Sequence, residues 1–128
     1  FSTAAGERAI VSVQDPIRLG RLSEPEPDLA LLRPRDDFYA EAHPRGTDVL
    51  LAVEVAESSL EYDRGRKLPL YARAAVPEVW LVDLDGRCVE VHSSPSAEGY
   101  TQVVRVDHDG LLTPVLLDGV TVPVKEFL

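Results

Sequence analysis

Residues 48–56, DVLLAVEVA, are almost unbroken in apolar character, and a run of this kind folds as a strand buried on both faces of a sheet. Its interior holds one acid, Glu54. A carboxylate without a partner in such surroundings forfeits several kcal/mol of hydration or takes up a proton. The placement therefore demands a partner, and a metal ion is one of the few good ones. Next, Ser58-Ser59-Leu60-Glu61 has the spacing of a capping box, which predicts a helix opening at Ser58 and running to about Ala75. Gly65 and Pro69 interrupt it, giving two short helices or one kinked helix. Val76-Pro77 ends the helix, and residues 78–84 read as a second buried strand. A helix between two buried strands predicts a crossover that leaves them parallel in one sheet.

The remaining segments add strands around this unit. Residues 9–13 are β-branched, and Gln14-Asp15-Pro16 breaks them, with Ile17–Leu19 continuing the same sheet edge. Residues 23–27 carry two prolines and read as an extended connector. Asp28–Leu32 is a strand stopped by Arg33-Pro34. Residues 35–47 are polar and read as a surface loop with a short helical turn at 38–42. Asp85-Gly86 signals a hairpin returning through Arg87 to His92. Residues 99–106 form a further strand, His108-Asp109-Gly110 a further turn, and the remainder short strands and turns. There are no repeats and no low-complexity tracts. The order is strand, strand, strand, helix, strand, hairpin. The expected fold class is α/β (α+β), with a mixed β-sheet and a crossover helix.

Composition narrows the setting. A chain of 128 residues, 45% hydrophobic and 27% charged, suits one globular domain over residues 1–128. The start at Phe1-Ser2-Thr3 with no Met leads us to expect an N-terminally incomplete domain. No run has the length of a membrane span and no basic-apolar leader is visible, so no membrane partner is expected. A single Cys88 excludes a disulfide framework and fits a reducing, cytoplasmic setting, with Cys88 itself a small structural residue. The net charge of −9 argues against tight non-specific binding to nucleic acid. A local basic surface from Arg33, Arg35, Arg64, Arg66, Lys67 and Arg73 is still compatible with it, although solvated surface charge is the simpler account.

Three residues stand out for chemistry. If the strands carrying Asp28 and Glu54 pair, their carboxylates converge and offer hard oxygen ligands to Mg²⁺. The alternatives are a turn Asp after Pro27, and a structural Glu54 paired with an Arg. Asp63, Lys67 and Tyr71 share one helical face by their i, i+4, i+8 spacing. Spacing alone favours a surface Asp63–Lys67 pair with Tyr71 as packing; the functional reading aims Lys67 at the carboxylates. His43, His92 and His108 are too scattered for a zinc site. Ser58 and Ser59 are explained as caps, and neither a Gly-x-Ser-x-Gly elbow nor a Gly-rich phosphate loop is present. Trp80 reads as core, and Asp83 and Asp85 as turn residues.

Four blocks in order, PDLALL (27–32), LAVEVAES (51–58), DRGRKLPLYA (63–72) and VPEVWLVD (76–83), resemble the Uma-two family, a group of candidate restriction endonucleases in the PD-(D/E)-x-K nuclease superfamily. The resemblance spans about residues 9–106. It implies a restriction-endonuclease-like core of helix, three strands, helix and strand, whose first helix would lie upstream of residue 1. It also implies that Asp28 and Glu54 are the metal-binding acids. The superfamily lysine two residues after the strand acid is absent, because Ala56 stands there. On the family pattern the basic residue is moved to the following helix, as Lys67.

The expected function is a Mg²⁺-dependent endonuclease (Mn²⁺ as substitute) that hydrolyses DNA phosphodiester bonds. Asp28, Glu54 and Lys67 would be its catalytic residues, and a homodimer would suit cleavage of both strands. The alternative is a nuclease-fold binding or assembly module without catalysis, which Ala56 and the acidic balance favour. Metal-dependent hydrolysis of another phosphate substrate is a weaker third reading.

Overall fold

The structure is a computed structural model that describes residues 10–12, 27–34, 44–56, 60–116 and 121–128, with the backbone alone at 10–12 and 60–64. Six strands form one sheet in chain order: β1 (Ile10–Ser12), β2 (Leu29–Leu32), β3 (Val49–Ala56), β4 (Glu78–Asp83), β5 (Cys88–Ser96) and β6 (Gly99–Asp107). All neighbours are antiparallel except β3 and β4, which run parallel. The helix α1 (Leu60–Arg73) makes the crossover between them, as the apolar–helix–apolar order requires. The mixed α+β sheet expected from the sequence is therefore borne out. The proposed continuation at 17–19, the connector up to residue 26, the turn at 38–42 and the Ser58 cap lie outside the described residues.

Period-two alternation sends each strand's side chains to two cores. On one face Leu68 and Tyr71 of α1 pack with Ala30, Ala52, Val79 and Leu81. The small Ala30 and Ala52 let the helix approach closely. On the other face Leu51, Val53, Trp80 and Val82 pack with Leu112 and Val124 of the C-terminal segment. That segment is a small ladder, β7 (Leu111–Leu112) with β8 (Val122–Pro123), and a 3-10 turn, Val124–Phe127. Phe127 meets Trp80 edge-on, with ring centroids 6.0 Å apart. A bulge where Leu31↔Leu51 passes to Leu32↔Val49 breaks the alternation and brings Leu50 and Leu51 into the same core.

Two local expectations change. The helix is one continuous element from Leu60 to Arg73 that passes through Pro69. Proline cannot donate to the carbonyl of Gly65, but Gly65 lies on the exposed face, where water serves that group. The β4–β5 hairpin has a four-residue loop, Leu84–Arg87, closed by the Asp83↔Cys88 pair. Arg87, and not Gly86, takes the left-handed conformation, with φ 52°. Asp83 Oδ1 accepts the Gly86 N–H at 3.0 Å, and a Cβ at position 86 would meet that carboxylate, which would have to shift.

The helix ends in a Schellman arrangement. Val76 N–H donates to Tyr71 O at 3.1 Å and Ala75 N–H to Ala72 O at 3.0 Å, with Ala75 left-handed at φ 63°. An L-residue there carries a cost of about 1–2 kcal/mol. Ala75→Gly is therefore expected to raise the unfolding free energy by about 1 kcal/mol in a urea titration.

A second buried acid anchors the C-terminal segment. Glu78 is 1% exposed, and its carboxylate accepts from Trp80 Nε1 at 2.7 Å and from Val115 N–H at 2.8 Å. Burial holds its pKa above the ordinary glutamate value, against the lowering effect of those two donors. The folded state thus binds this proton more tightly than the unfolded chain. The resulting stability is full below pH ~4.3 and is lost as pH rises through the folded value. Chemical unfolding of Glu78→Gln beside wild type should show the difference shifting in favour of the variant between pH 4 and 7. The expected size is about 1.4 kcal/mol per pH unit of elevation.

Candidate active site

Asp28, Glu54, Lys67 and Tyr71 come together at the junction of β2, β3 and α1. The antiparallel register Leu29↔Val53, continued by one step, sets Asp28 opposite Glu54. Asp28 Oδ2 accepts the N–H of Val55 at 2.6 Å, which fastens the carboxylate beside the main chain of β3. Glu54 shares a sheet face with Ala52, and α1 covers that face. A single helical turn places Lys67 and Tyr71 side by side over it. Lys67 Nζ lies 3.1 Å from Glu54 Oε2, and Tyr71 Oη donates to Glu54 Oε1 at 2.7 Å.

The partners expected from spacing are thus revised. Glu54 is held by a lysine and a tyrosine and not by an arginine, and Lys67 reaches the acid from the helix. Tyr71, read as packing, also supplies a buried donor. The i, i+4 spacing of Lys67 and Tyr71 was the signal that could have found this pair. The side chain of Asp63 lies outside the described residues.

Electrostatically the site is poised between burial and compensation. The Glu54 side chain is 3% exposed while that of Lys67 is 32% exposed, so the ammonium spans from solvent to the acid. Burial pushes the Glu54 pKa above its ordinary value. The Tyr71 hydrogen bond and the Lys67 charge oppose this, and the neighbouring Asp28 charge adds to it. The Tyr71 phenol is pushed up by its own burial and then by Glu54, so it stays a donor.

Asp28 and Glu54 are the two carboxylates brought together here. The Asp28 charge makes ionisation of Glu54 costlier, and a cation beside the pair would offset that cost; Mg²⁺ takes one or two carboxylates and keeps several waters. Among the described residues no third His, Cys, Asp or Glu joins them. Elsewhere, His92 Nε2 lies 3.1 Å from Glu90 Oε1, and His108 Nε2 3.3 Å from Asp109 Oδ2, in keeping with the scattered histidines of the sequence. His43 is outside the described residues. Cys88 is buried, and burial raises its thiol pKa, as expected of a structural residue. Glu78, Glu90 and His92 were missed as buried polar groups. Glu78/Trp80 and Glu90/His92 each carry the i, i+2 strand spacing that could have revealed them.

Tyr71→Phe leaves Glu54 Oε1 without its donor inside the core. Such a loss costs about 1–3 kcal/mol, so the variant should unfold at lower urea concentration with an unchanged m-value.

Comparison with known proteins agrees with this architecture. Among the described residues no helix is long and apolar enough to cross a membrane. A crystal structure from Anabaena variabilis, described as "a putative nuclease belonging to DUF820", superimposes with a TM-score of 0.71 at 13% identity, covering 98% of this chain and 72% of that one. At that identity the likeness is one of fold. No curated protein matches the chain. The model of the Uma2 family, described as "Putative restriction endonuclease", matches residues 1–125. Because that model covers nearly the whole chain, the chain belongs to the Uma2 (Uma-two) family of restriction-endonuclease-like proteins.

Proposed function

We propose that the protein is a Mg²⁺-dependent DNA endonuclease in which Asp28 and Glu54 hold the metal and Lys67 assists hydrolysis. The observation that carries this reading is the meeting of Asp28, Glu54 and Lys67, from a strand start, a strand interior and a helix, within a chain of nuclease family. When bound, the ion supplies Lewis-acid polarisation of a phosphoryl oxygen and activation of water; Mn²⁺ is the natural substitute. Asp28 is oriented by the Val55 N–H and Glu54 by the Tyr71 hydroxyl, so both carboxylates are fixed before a substrate arrives. Lys67 is partly exposed, so its ammonium, paired with Glu54, also presents charge toward solvent, where it would orient water or offset negative charge developing on a phosphate. Ala56, buried in β3, stands where the superfamily pattern has its lysine, and here a cation reaches the acid from the helix.

The second reading, a nuclease-fold module without catalysis, draws on Ala56 and on the net charge of −9. Both oxygens of Glu54 already accept donors, which also favours it. Supercoiled DNA incubated with the chain and Mg²⁺ or Mn²⁺ separates the two. Nicking is expected in wild type, with Asp28→Ala, Glu54→Ala and Lys67→Ala each slower by about 100-fold or more and unchanged in circular dichroism. Calorimetry with Mn²⁺ should show binding at about millimolar concentration that Glu54→Ala removes. Activity untouched by both acid substitutions would refute the proposal, and absent ion binding would favour the inactive module.

A further inference from the structure

The sheet ends in β1 on one side, described over the three residues Ile10–Ser12, and in β6 on the other. β6 presents nine residues, Gly99–Asp107, paired with β5 on one side except at Thr101, opposite the left-handed Ser94 (φ 58°). Every second residue of such a strand directs its N–H and C=O away from its partner. Natural proteins blunt a long edge with proline, lysine, a bulge or a covering element. Between Gly99 and Asp107 there is neither proline nor lysine, and the register with β5 is constant. The two charges present, Arg105 and Asp107, lie against each other at 3.4 Å.

The middle of this edge is also apolar. Val103 is 56% and Val104 58% exposed, one on each sheet face, while Tyr100 and Val106 near the ends pack into the two cores. The strand is thus anchored at its ends and bare at its centre. Its sequence is self-complementary in antiparallel register. In a symmetric pairing centred on Val103 or on Val104, Arg105 faces Thr101 or Val103 of the other copy. Asp107 faces Gly99 or Thr101. No like charges meet, and the valines cover one another. The pairing supplies about eight main-chain hydrogen bonds, within the usual content of a stable interface.

We propose that β6 is a dimerisation edge, at which two copies of this chain pair their β6 strands antiparallel and continue the sheet across a two-fold axis. A two-fold normal to the sheet keeps both helices, and both Glu54 side chains, on one face. Three strand spacings separate β3 from β6 in each copy and one more spans the junction, so the two acids stand roughly 34 Å apart. The interface does not depend on the nuclease reading, and its test reads mass and cross-linking and not cleavage.

Sedimentation equilibrium of the chain should give twice the 14.0 kDa chain mass. Val104→Lys and Gln102→Lys, each a charge set on the open edge, should both give the monomer mass with unchanged circular dichroism. Single cysteines placed in turn at positions 102, 103 and 104 should form an intermolecular disulfide under mild oxidation, fastest at the residue nearest the axis, with wild type, whose Cys88 is buried, as the control. This series decides the matter even where a lysine variant fails to fold. A monomeric wild type overturns the proposal, as does a dimer that survives both lysine substitutions and forms no cross-link at any of the three positions.

Discussion

A carboxylate sealed beneath a helix is the constraint that organises this fold. Glu54 sits at 2% exposure on the face that α1 covers, and the helix rests there because two of its residues meet the acid's two oxygens. Strand, crossover and helix docking are thereby coupled: a rotation of α1 by one residue would withdraw both donors. A buried ion pair contributes little net stability compared with well-packed apolar residues of similar volume. Its presence is better understood as fixing one helix orientation while keeping a charged group within reach of solvent through Lys67.

The opposite face solves a related problem in another way. Glu78, one residue after Pro77, accepts from a ring nitrogen two residues on and from the backbone of Val115, 37 residues away. One acid therefore anchors the C-terminal segment over the second core, and the sheet is covered on both sides. The two buried carboxylates differ in their surroundings. Glu78 is met by neutral donors, whereas Glu54 has a cation and a second acid beside it. That contrast sets Glu54 apart as the candidate for chemistry and leaves Glu78 as structure.

Much of this was legible in the chain and some was not, for identifiable reasons. β3, β4 and their crossover follow from apolar runs around a helical segment, whereas Asp28 facing Glu54 was conditional on the pairing of their strands, which the register of β2 and β3 supplies. The target of Lys67 did not follow, because its spacing to Asp63 fits a surface pair equally well and only docking sets the helix rotation. The role of Glu78 was invisible, since its second donor is a backbone group far along the chain. Pro69 left two short helices or one kinked helix open, and the element is one helix, with the residue whose carbonyl Pro69 deprives, Gly65, exposed. Arg87 in place of Gly86 at the left-handed position reflects the Asp83 side chain, which claims the space that a glycine leaves.

The setting of Trp80 has a further consequence. It is the only tryptophan of the chain, it is fully buried, its indole nitrogen is tied to Glu78 and its ring meets Phe127 at 87°. Within the core it shares with Leu51 and Val53, its hydrogen bond to Glu78 and its ring contact with Phe127 tie it to the C-terminal segment, with Val115 joined through the shared carboxylate. The emission of this one chromophore reports whether the C-terminal segment is seated on the sheet, and the protein carries a built-in optical gauge of its own closure.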